Sequence, residues 1–158
     1  MNHKSGCLIC GKDLVYLTST EILNCSYCGE SFQADVHCTD SHYVCDKCHS
    51  LTALDLIEQF TVNSRGEDPI ELAIALMRHP GVRMHGPEHH FLVPAVLLCA
   101  YYNPVERYSM RKKIRQARIR AEKIMGGFCG SHGDCGAAVG TGIFISLITE
   151  ATPLSKEE

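Results

Sequence analysis

The sequence predicts a small zinc-binding module, of ribbon or cross-braced treble-clef type, followed by an all-α domain of about four helices. Seven of the ten cysteines lie between Cys7 and Cys48, and six of them form three closely spaced pairs, which is typical of metal sites. Beyond these cysteines, apolar residues recur at helical spacing between polar, turn-rich segments. We therefore assign residues 1–50 to the metal module, 51–67 to a helix and linker, and 68–158 to a helical domain with a His/Cys site.

Length and composition restrict the classes of protein to consider. The chain has 158 residues, of which 45% are apolar and 21% charged, so it can form a core and is not disordered as a whole. Its start lacks a basic stretch followed by an apolar run, so we expect no signal peptide and a cytoplasmic protein. In a reducing compartment, regularly spaced cysteines more often bind metal or take part in catalysis than form disulfides.

Two apolar segments predict core elements. The longest apolar run, GAAVGTGIFISLIT at residues 136–149, is shorter than the roughly 20 residues of a membrane-spanning helix. We therefore expect a buried core helix there and no membrane partner. Cys99 lies in a second apolar segment and is expected to be a packed core cysteine.

Eight residues in the first half have the spacing of metal ligands. They form four pairs: Cys7 and Cys10, Cys25 and Cys28, Cys38 and His42, Cys45 and Cys48. Because zinc prefers four ligands in a tetrahedron, eight ligands predict two zinc ions. With every position filled by protein, such sites are structural, and a four-thiolate site also suits iron.

The pairing of these ligands stays open between two arrangements. A sequential arrangement joins the first two pairs around one metal and the last two around the other. A cross-braced arrangement joins the first pair to the third and the second to the fourth. We favour the second slightly, because residues 31–38 and 42–45 alternate as a hairpin would, and Cys45 and Cys48 precede a predicted helix over 51–60. His37 and His49 are alternatives to His42.

The second half carries helix start and stop signals. Asp68-Pro69 provides an N-cap and a first-turn proline, and Asn103-Pro104 with Glu106 opens a long helix that should stop at Gly126-Gly127. An apolar helix over Leu92–Tyr102 contains Pro94, which must sit in the first turn or kink the helix. The last helix covers residues 136–150.

A second group of histidines and cysteines predicts a functional site in the helical domain. The segments are MHGPEHH at residues 84–90 and GGFCGSHGDCG at 126–136, whose glycines permit close approach of a ligand. Cys135 precedes the final helix, where the dipole favours the thiolate. The candidate catalytic residues are Cys129, Cys135, Glu88, His89 and His90, and the candidates for cofactor binding are His85, His132 and Asp134.

Three segments of the sequence resemble a known family. They are MHGPEHHFLVPAVLLCAYYN at residues 84–103, GGFCGSHGDCGAAVGTGIFISLITEATPLS at 126–155, and HYVCDKCHS at 42–50. They are similar to an uncharacterised microbial family catalogued as domain of unknown function 5714. The resemblance covers most of the chain and implies a shared fold, and it transfers no catalytic residue.

Residues 104–125 predict a basic amphipathic helix. They contain eight basic and two acidic residues, a net charge of +6 in a chain whose overall charge is −3. One face carries Met110, Ile114, Ala117, Ala121 and Ile124 and should be core. Another carries Arg107, Arg111, Arg115 and Arg118. Such a face is usually solvated. Otherwise it suits an anionic partner, which could be RNA, a cofactor phosphate, an acidic protein or the acidic N-terminal half of this chain.

Two functions therefore compete. The first is a metal-binding protein whose helical domain holds a redox, sulfur-transfer or iron–sulfur-type site, with iron or an iron–sulfur cluster as a further cofactor. The second is an adaptor whose zinc module and basic helix contact nucleic acid or a partner protein. We favour the first narrowly, because an adaptor has little need for a glycine loop that carries two thiols.

Overall fold

The N-terminal half contains a two-stranded antiparallel hairpin. A computed structural model describes residues 6–49, 51–84 and 86–151. Strand β1 (Leu14–Asn24) pairs with β2 (Ser31–Cys38), and the register shifts between Tyr16 and Glu21. Most β1 side chains are exposed, so the strand lacks the alternation that marks a half-buried strand.

The hairpin partner predicted from the sequence was wrong. Residues 42–45 do not pair along β2. Among the described residues, this segment forms one isolated β-bridge, between Tyr43 and Cys25. The alternation of residues 31–38 indicated a strand correctly, but alternation does not identify the partner strand.

Seven helices follow in the described part of the chain, and five of them have nine or more residues. They are α1 (Asp46–His49), α2 (Ala53–Asn63), α3 (Pro69–Met77), α4 (His89–Tyr102), α5 (Met110–Ala121), α6 (Phe128–Ser131) and α7 (Gly136–Thr149). Helix α4 lies at the centre and contacts α2, α3, α5 and α7. The predicted order of a metal-ligand module before a helical domain is present.

Helix starts follow the predicted signals in one case and depart from them in another. Asp68 accepts hydrogen bonds from the backbone N–H groups of Ile70 and Glu71, so α3 begins as expected. Helix α5 begins at Met110 rather than near Pro104. The side chain of Glu106 caps Ser109 N instead, at 3.0 Å, so residues 104–109 form turns before the helix.

The metal-ligand module and the helices share one apolar core. Tyr27, between the cysteines of the second pair, is fully buried and meets Phe60 of α2 edge-on at 5.4 Å between ring centroids. Its hydroxyl donates to the Ala75 carbonyl of α3 at 3.4 Å. Cys25, Cys45 and Cys48 belong to the same buried cluster as the helix side chains. The knuckle around Tyr27 therefore joins the two halves.

The linker between α2 and α3 is fixed by the end of α4 and the turns after it. Arg107 donates to the carbonyls of Val62 and Ser64 at 2.9 and 2.8 Å, where α2 ends. The Asn103 amide donates to Gly66 O at 2.6 Å. A guanidinium at a helix C-terminus also interacts favourably with the helix dipole.

Helix α7 is less buried than its apolar sequence predicted. Only Gly140 and Leu147 of the helix are buried, so the expectation of a buried core helix was wrong. The helix packs on α4 through Gly140, which approaches Val93 and the buried Pro94 in the second turn of α4. None of the helices in the described ranges has the length and apolar character needed to cross a membrane.

Gly140 and Gly142 offer a matched test of this close packing. A Cβ at Gly140 would lie 2.8 Å from Val93 Cβ, whereas one at Gly142 would meet nothing within 4 Å. We expect Gly142→Ala to stabilise the protein by about 0.5–1 kcal/mol through helix propensity. Gly140→Ala should instead destabilise it by about 1–3 kcal/mol through overpacking. Urea denaturation measures both, and equal stabilisation would contradict the close contact.

Candidate metal centres and the histidine cavity

The first two ligand pairs form two copies of one backbone turn. Gly11 and Gly29, which follow the second cysteine of each pair, have φ of 77° and 76°. Each glycine N–H donates to the carbonyl of the first cysteine of its pair at 2.8 Å. The N–H of that cysteine donates to the carbonyl of the residue after the glycine, which is Lys12 for Cys7 and Glu30 for Cys25, at 2.8 Å in both turns. The positive φ explains the glycine in each turn.

The eight ligands lie in two groups of four. The outer cluster consists of Cys7, Cys10, Cys38 and His42, and the inner cluster of Cys25, Cys28, Cys45 and Cys48. Within each cluster the four ligand atoms lie within 4.8 Å of one another. This is the cross-braced grouping, and His42 rather than His37 or His49 completes the outer cluster.

The distances within the clusters fit a shared metal ion. Cys10 Sγ lies 3.7 Å from Cys38 Sγ, Cys28 Sγ lies 3.9 Å from Cys45 Sγ, and the ten cysteines are free thiols. A tetrahedron with Zn–S bonds of about 2.3 Å has S···S edges of roughly 3.8 Å. A disulfide would need about 2.05 Å. Both clusters could therefore hold a metal ion.

The electrostatics of the clusters also favour a cation. Burial, together with the neighbouring thiols Cys45 and Cys25, raises the pKa of Cys48, and burial raises that of Cys7. Burial also opposes ionisation of Cys38, but the N–H groups of His42 and Asp40 outweigh it and lower the pKa. The inner cluster has four close thiols and the outer cluster three. Because such thiols cannot all ionise without a counter-charge, a bound cation would stabilise both clusters.

The two clusters differ in their surroundings. The inner cluster lies in the core, where Cys48 Sγ meets Gln59 of α2 at 3.5 Å and Tyr27 packs against the buried His79. The outer cluster lies outside this core, and Arg78, which caps the end of α3, donates to the carbonyl of Ile9 beside it at 2.8 Å. Loss of the inner cluster should therefore disturb the helices more than loss of the outer one.

The helical domain contains a cavity where predicted site residues meet. His89, His90 and Cys129 line a space of about 610 Å³ together with Gly126, Gly127 and Gly136. We call it the histidine cavity. His85, another predicted site residue, lies outside the described residues. Sequence spacing could not indicate that the start of α4 lies next to the loop before α7.

The two histidines of the cavity have different environments. His89 Nε2 lies 2.7 Å from the Arg83 carbonyl. Since a carbonyl only accepts, Nε2 carries the hydrogen and Nδ1 is the basic nitrogen. His90 is 6% exposed, and its Nδ1 has no hydrogen-bond partner among the described residues. Its ring lies against Gly136, where a Cβ would be 3.1 Å from His90 Cδ2.

Cys135 is the N-cap residue of α7 and is exposed. The backbone N–H groups of Ala138 and Ala137 lower the pKa of its thiol. Gly136 and Ala137, which follow it directly, line the histidine cavity. This thiol therefore ionises more readily than an unperturbed cysteine, as expected at a helix N-terminus.

The other predicted site residues have local contacts. Glu88 is buried and accepts a hydrogen bond from Arg83 N at 2.8 Å, which closes the turn before α4. His132 packs on Phe128 at 4.6 Å between ring centroids, and the exposed Asp134 donates its N–H to the Phe128 carbonyl. Their catalytic or cofactor-binding roles stay predictions.

Several residues of the basic helix are used within the protein. Arg118 forms ion pairs with Asp55, Glu58 and Glu122 at 2.8, 2.7 and 3.1 Å, and Lys113 pairs with Glu150 at 2.7 Å. The predicted apolar face is buried at Met110, Ile114, Ala117 and Ala121. Arg111 and Arg115 are exposed and line a groove with Cys28 and Glu30.

Comparison with family models confirms the family that the sequence segments resemble. The chain belongs to the Family of unknown function (DUF5714), whose model matches residues 57–158. The match begins within α2 and includes the histidine cavity. Neither the curated proteins nor the solved structures yield a match to this chain.

Serine variants of one ligand in each cluster should separate the two metal centres. Cys48→Ser should lower metal content by one ion and destabilise the helices by several kcal/mol, since structural zinc contributes on the order of 10 kcal/mol. Cys10→Ser should also remove one ion but leave the helical unfolding transition nearly in place. Elemental analysis and circular dichroism measure these effects, and equal destabilisation would contradict the distinction.

Proposed function

We propose that the protein carries out thiol–disulfide exchange or sulfur transfer through Cys135 and Cys129, and that two zinc ions hold its N-terminal module together. The observation that carries this proposal is the histidine cavity, in which His89, His90 and Cys129 lie together beside the start of α7. One exposed thiol, Cys129, shares this cavity with two imidazoles, and a second exposed thiol, Cys135, directly precedes a residue of its lining. Such an arrangement is suited to reversible sulfur chemistry.

In the first step, Cys135 acts as the nucleophile. Its thiolate attacks one sulfur of a substrate disulfide, and a new S–S bond joins Cys135 to that sulfur. The substrate S–S bond breaks, and the other sulfur leaves as a thiolate that takes a proton from solvent. Attack by a thiol whose pKa approaches the ambient pH is the favourable case for this reaction.

In the second step, Cys129 resolves the mixed disulfide. Its thiol gives its proton to Nδ1 of His89, and its sulfur attacks Cys135. An S–S bond forms between the two cysteines, and the second half of the substrate leaves as a thiolate that takes the proton from His89. The substrate gains two electrons and the cysteine pair loses them. With a persulfide substrate, the first step alone would pass the outer sulfur to Cys135 without net oxidation.

The choice of sulfur chemistry over a metal cofactor rests on ligand geometry. Among the described residues, only the outer and inner clusters bring three or more ligand atoms within 4.8 Å. Cys129, Cys135 and the cavity histidines do not converge in that way, so an iron or iron–sulfur site is the weaker proposal. Zinc fits the outer and inner clusters, because their donors are thiolates with at most one imidazole.

Cysteine variants test the proposed roles. Native protein should be alkylated rapidly by iodoacetamide, and the rate should reach half its plateau at a lower pH than in the unfolded chain, because the folded pKa of Cys135 is lowered. Cys135→Ser should remove this fast phase, whereas Cys129→Ser should keep it. Mass spectrometry of alkylated peptides measures both rates. An unchanged fast phase in Cys135→Ser would refute the assignment of Cys135 as the nucleophile.

Formation of the internal disulfide is a separate test. After reaction with hydroxyethyl disulfide, native protein should contain a Cys129–Cys135 disulfide, while Cys129→Ser should retain the mixed disulfide on Cys135. Cys99→Ser is a control, since Cys99 is buried in α4 and burial raises its pKa. A persistent mixed disulfide in native protein would contradict the resolving role of Cys129.

A second candidate is an adaptor that binds RNA or an acidic protein surface. The observation that favours it is the groove beside the inner cluster, where Arg111 and Arg115 are exposed and make no ion pair with another described residue. Arg107 and Arg118 are less suited to contact a partner, because both are engaged within the protein.

Charge reversal in the groove tests this candidate. If RNA binds there, Arg111→Glu with Arg115→Glu should weaken binding at least tenfold, and the native affinity should fall steeply with salt through counterion release. Lys123→Glu is a control at an exposed position outside the groove lining. Fluorescence anisotropy measures binding of single-stranded RNA. Equal binding by the native and double-variant proteins would exclude the groove as the RNA-binding site.

A further inference from the structure

A second, mainly apolar cavity lies next to the histidine cavity. It has a volume of about 650 Å³ and is formed by the start of α2, the start of α4 and the segment after α5. Its apolar walls include Ala53, Leu54, Phe91, Ile124 and Met125. We call it the apolar cavity. The thiol chemistry proposed above gives this space no role.

The two cavities share part of their walls. Pro87 and Gly126 line both of them. A Cβ at Gly126 would lie 3.8 Å from Pro87 Cβ, so these residues form a low ridge between the two spaces. Gly126 is not among the residues with positive φ, so its backbone does not require glycine. The missing side chain instead keeps the ridge low.

The polar groups of the apolar cavity restrict its occupant. Glu88 and Glu122 are its ionisable lining residues, and the lining includes no lysine or arginine. Glu88 accepts from Arg83 N, and Glu122 pairs with Arg118. An anionic group would meet two carboxylates there, whereas a neutral apolar group would meet aliphatic and aromatic surface.

We propose that the substrate of the histidine cavity is a disulfide or persulfide that carries a neutral apolar group, and that this group binds in the apolar cavity. The sulfur end then crosses the ridge of Gly126 and Pro87 toward the two reactive cysteines. This inference rests on the proposed thiol chemistry and adds the class of substrate. Apolar binding would hold the sulfur near the thiolate and so raise the rate of attack.

Two disulfides that differ only in their apolar part provide the test. The full-length protein, with its metals bound and carrying Cys129→Ser to trap the mixed disulfide, is reacted with hydroxyethyl disulfide or with hexyl hydroxyethyl disulfide. Mass spectrometry follows the mixed disulfide on Cys135. Burial of each methylene raises a binding constant about fourfold, so the hexyl compound should react at least ~10 times faster.

Two variants test the location of the hexyl group. Gly126→Leu raises the ridge, and Ala53→Phe fills the apolar cavity from the first residue of α2. Both should bring the ratio of the two rates close to one. Gly142→Leu is the matched control, because it adds the same side chain to α7 at a site with nothing within 4 Å of its Cβ. It should keep the native ratio.

The outcomes separate this inference from the function on which it rests. Equal rates for the two disulfides in otherwise native protein would overturn the proposal of an apolar substrate, without contradicting the proposed thiol chemistry. A faster hexyl reaction that survives both Gly126→Leu and Ala53→Phe would overturn the assigned cavity. If neither compound forms a mixed disulfide with Cys135, the proposed function is refuted and this inference falls with it.

Discussion

The rest of the structure depends on the way the inner cluster is built into the core. Cys25, Cys45 and Cys48 are almost fully buried, and the knuckle that contains Cys25 inserts Tyr27 between α2 and α3. Burying several thiols so close together is unfavourable unless a cation stabilises their ionised forms. Metal binding at this cluster would therefore be coupled to packing of the helices, because the same residues would serve both.

Glycines set a second constraint, at the contact between α4 and α7. Gly140 lets the two helices approach closely, and Gly136 leaves room for the buried ring of His90. Together they place the N-terminus of α7, with Cys135, next to the histidines at the start of α4. A larger residue at either position would move the start of α7 away from the start of α4. The position of the proposed reactive group is thus a consequence of helix packing.

The basic helix illustrates how tertiary contacts change the meaning of a sequence pattern. Its apolar face is buried as the spacing predicted, but its cations divide into two groups. Arg118 forms ion pairs with three carboxylates, and Arg107, which lies in the turns before the helix, caps α2. Both therefore stabilise contacts between helices. Arg111 and Arg115 stay exposed. Helical spacing predicted all four on one face, but Arg107 lies before the helix, and spacing contained no information about which carboxylates face Arg118.

The sequence by itself determined the elements whose cause is local. Cysteine spacing identified the eight residues of the two clusters, and Asp68 with Pro69 fixed the start of α3. Helix α7 was placed correctly, while its burial was overestimated because hydropathy does not report which face meets a neighbour. The start of α5 was misplaced, because Asn103 binds the linker at Gly66 instead of capping the helix.

Only the tertiary structure decided which distant residues meet. It selected the cross-braced grouping, paired β2 with β1, and brought His89 and His90 to the loop that carries Cys129. It also placed an apolar cavity across the ridge of Gly126, which no sequence pattern indicated. The physical reason is that spacing along a helix or strand sets the direction of side chains locally, whereas contacts between elements depend on how the whole core packs.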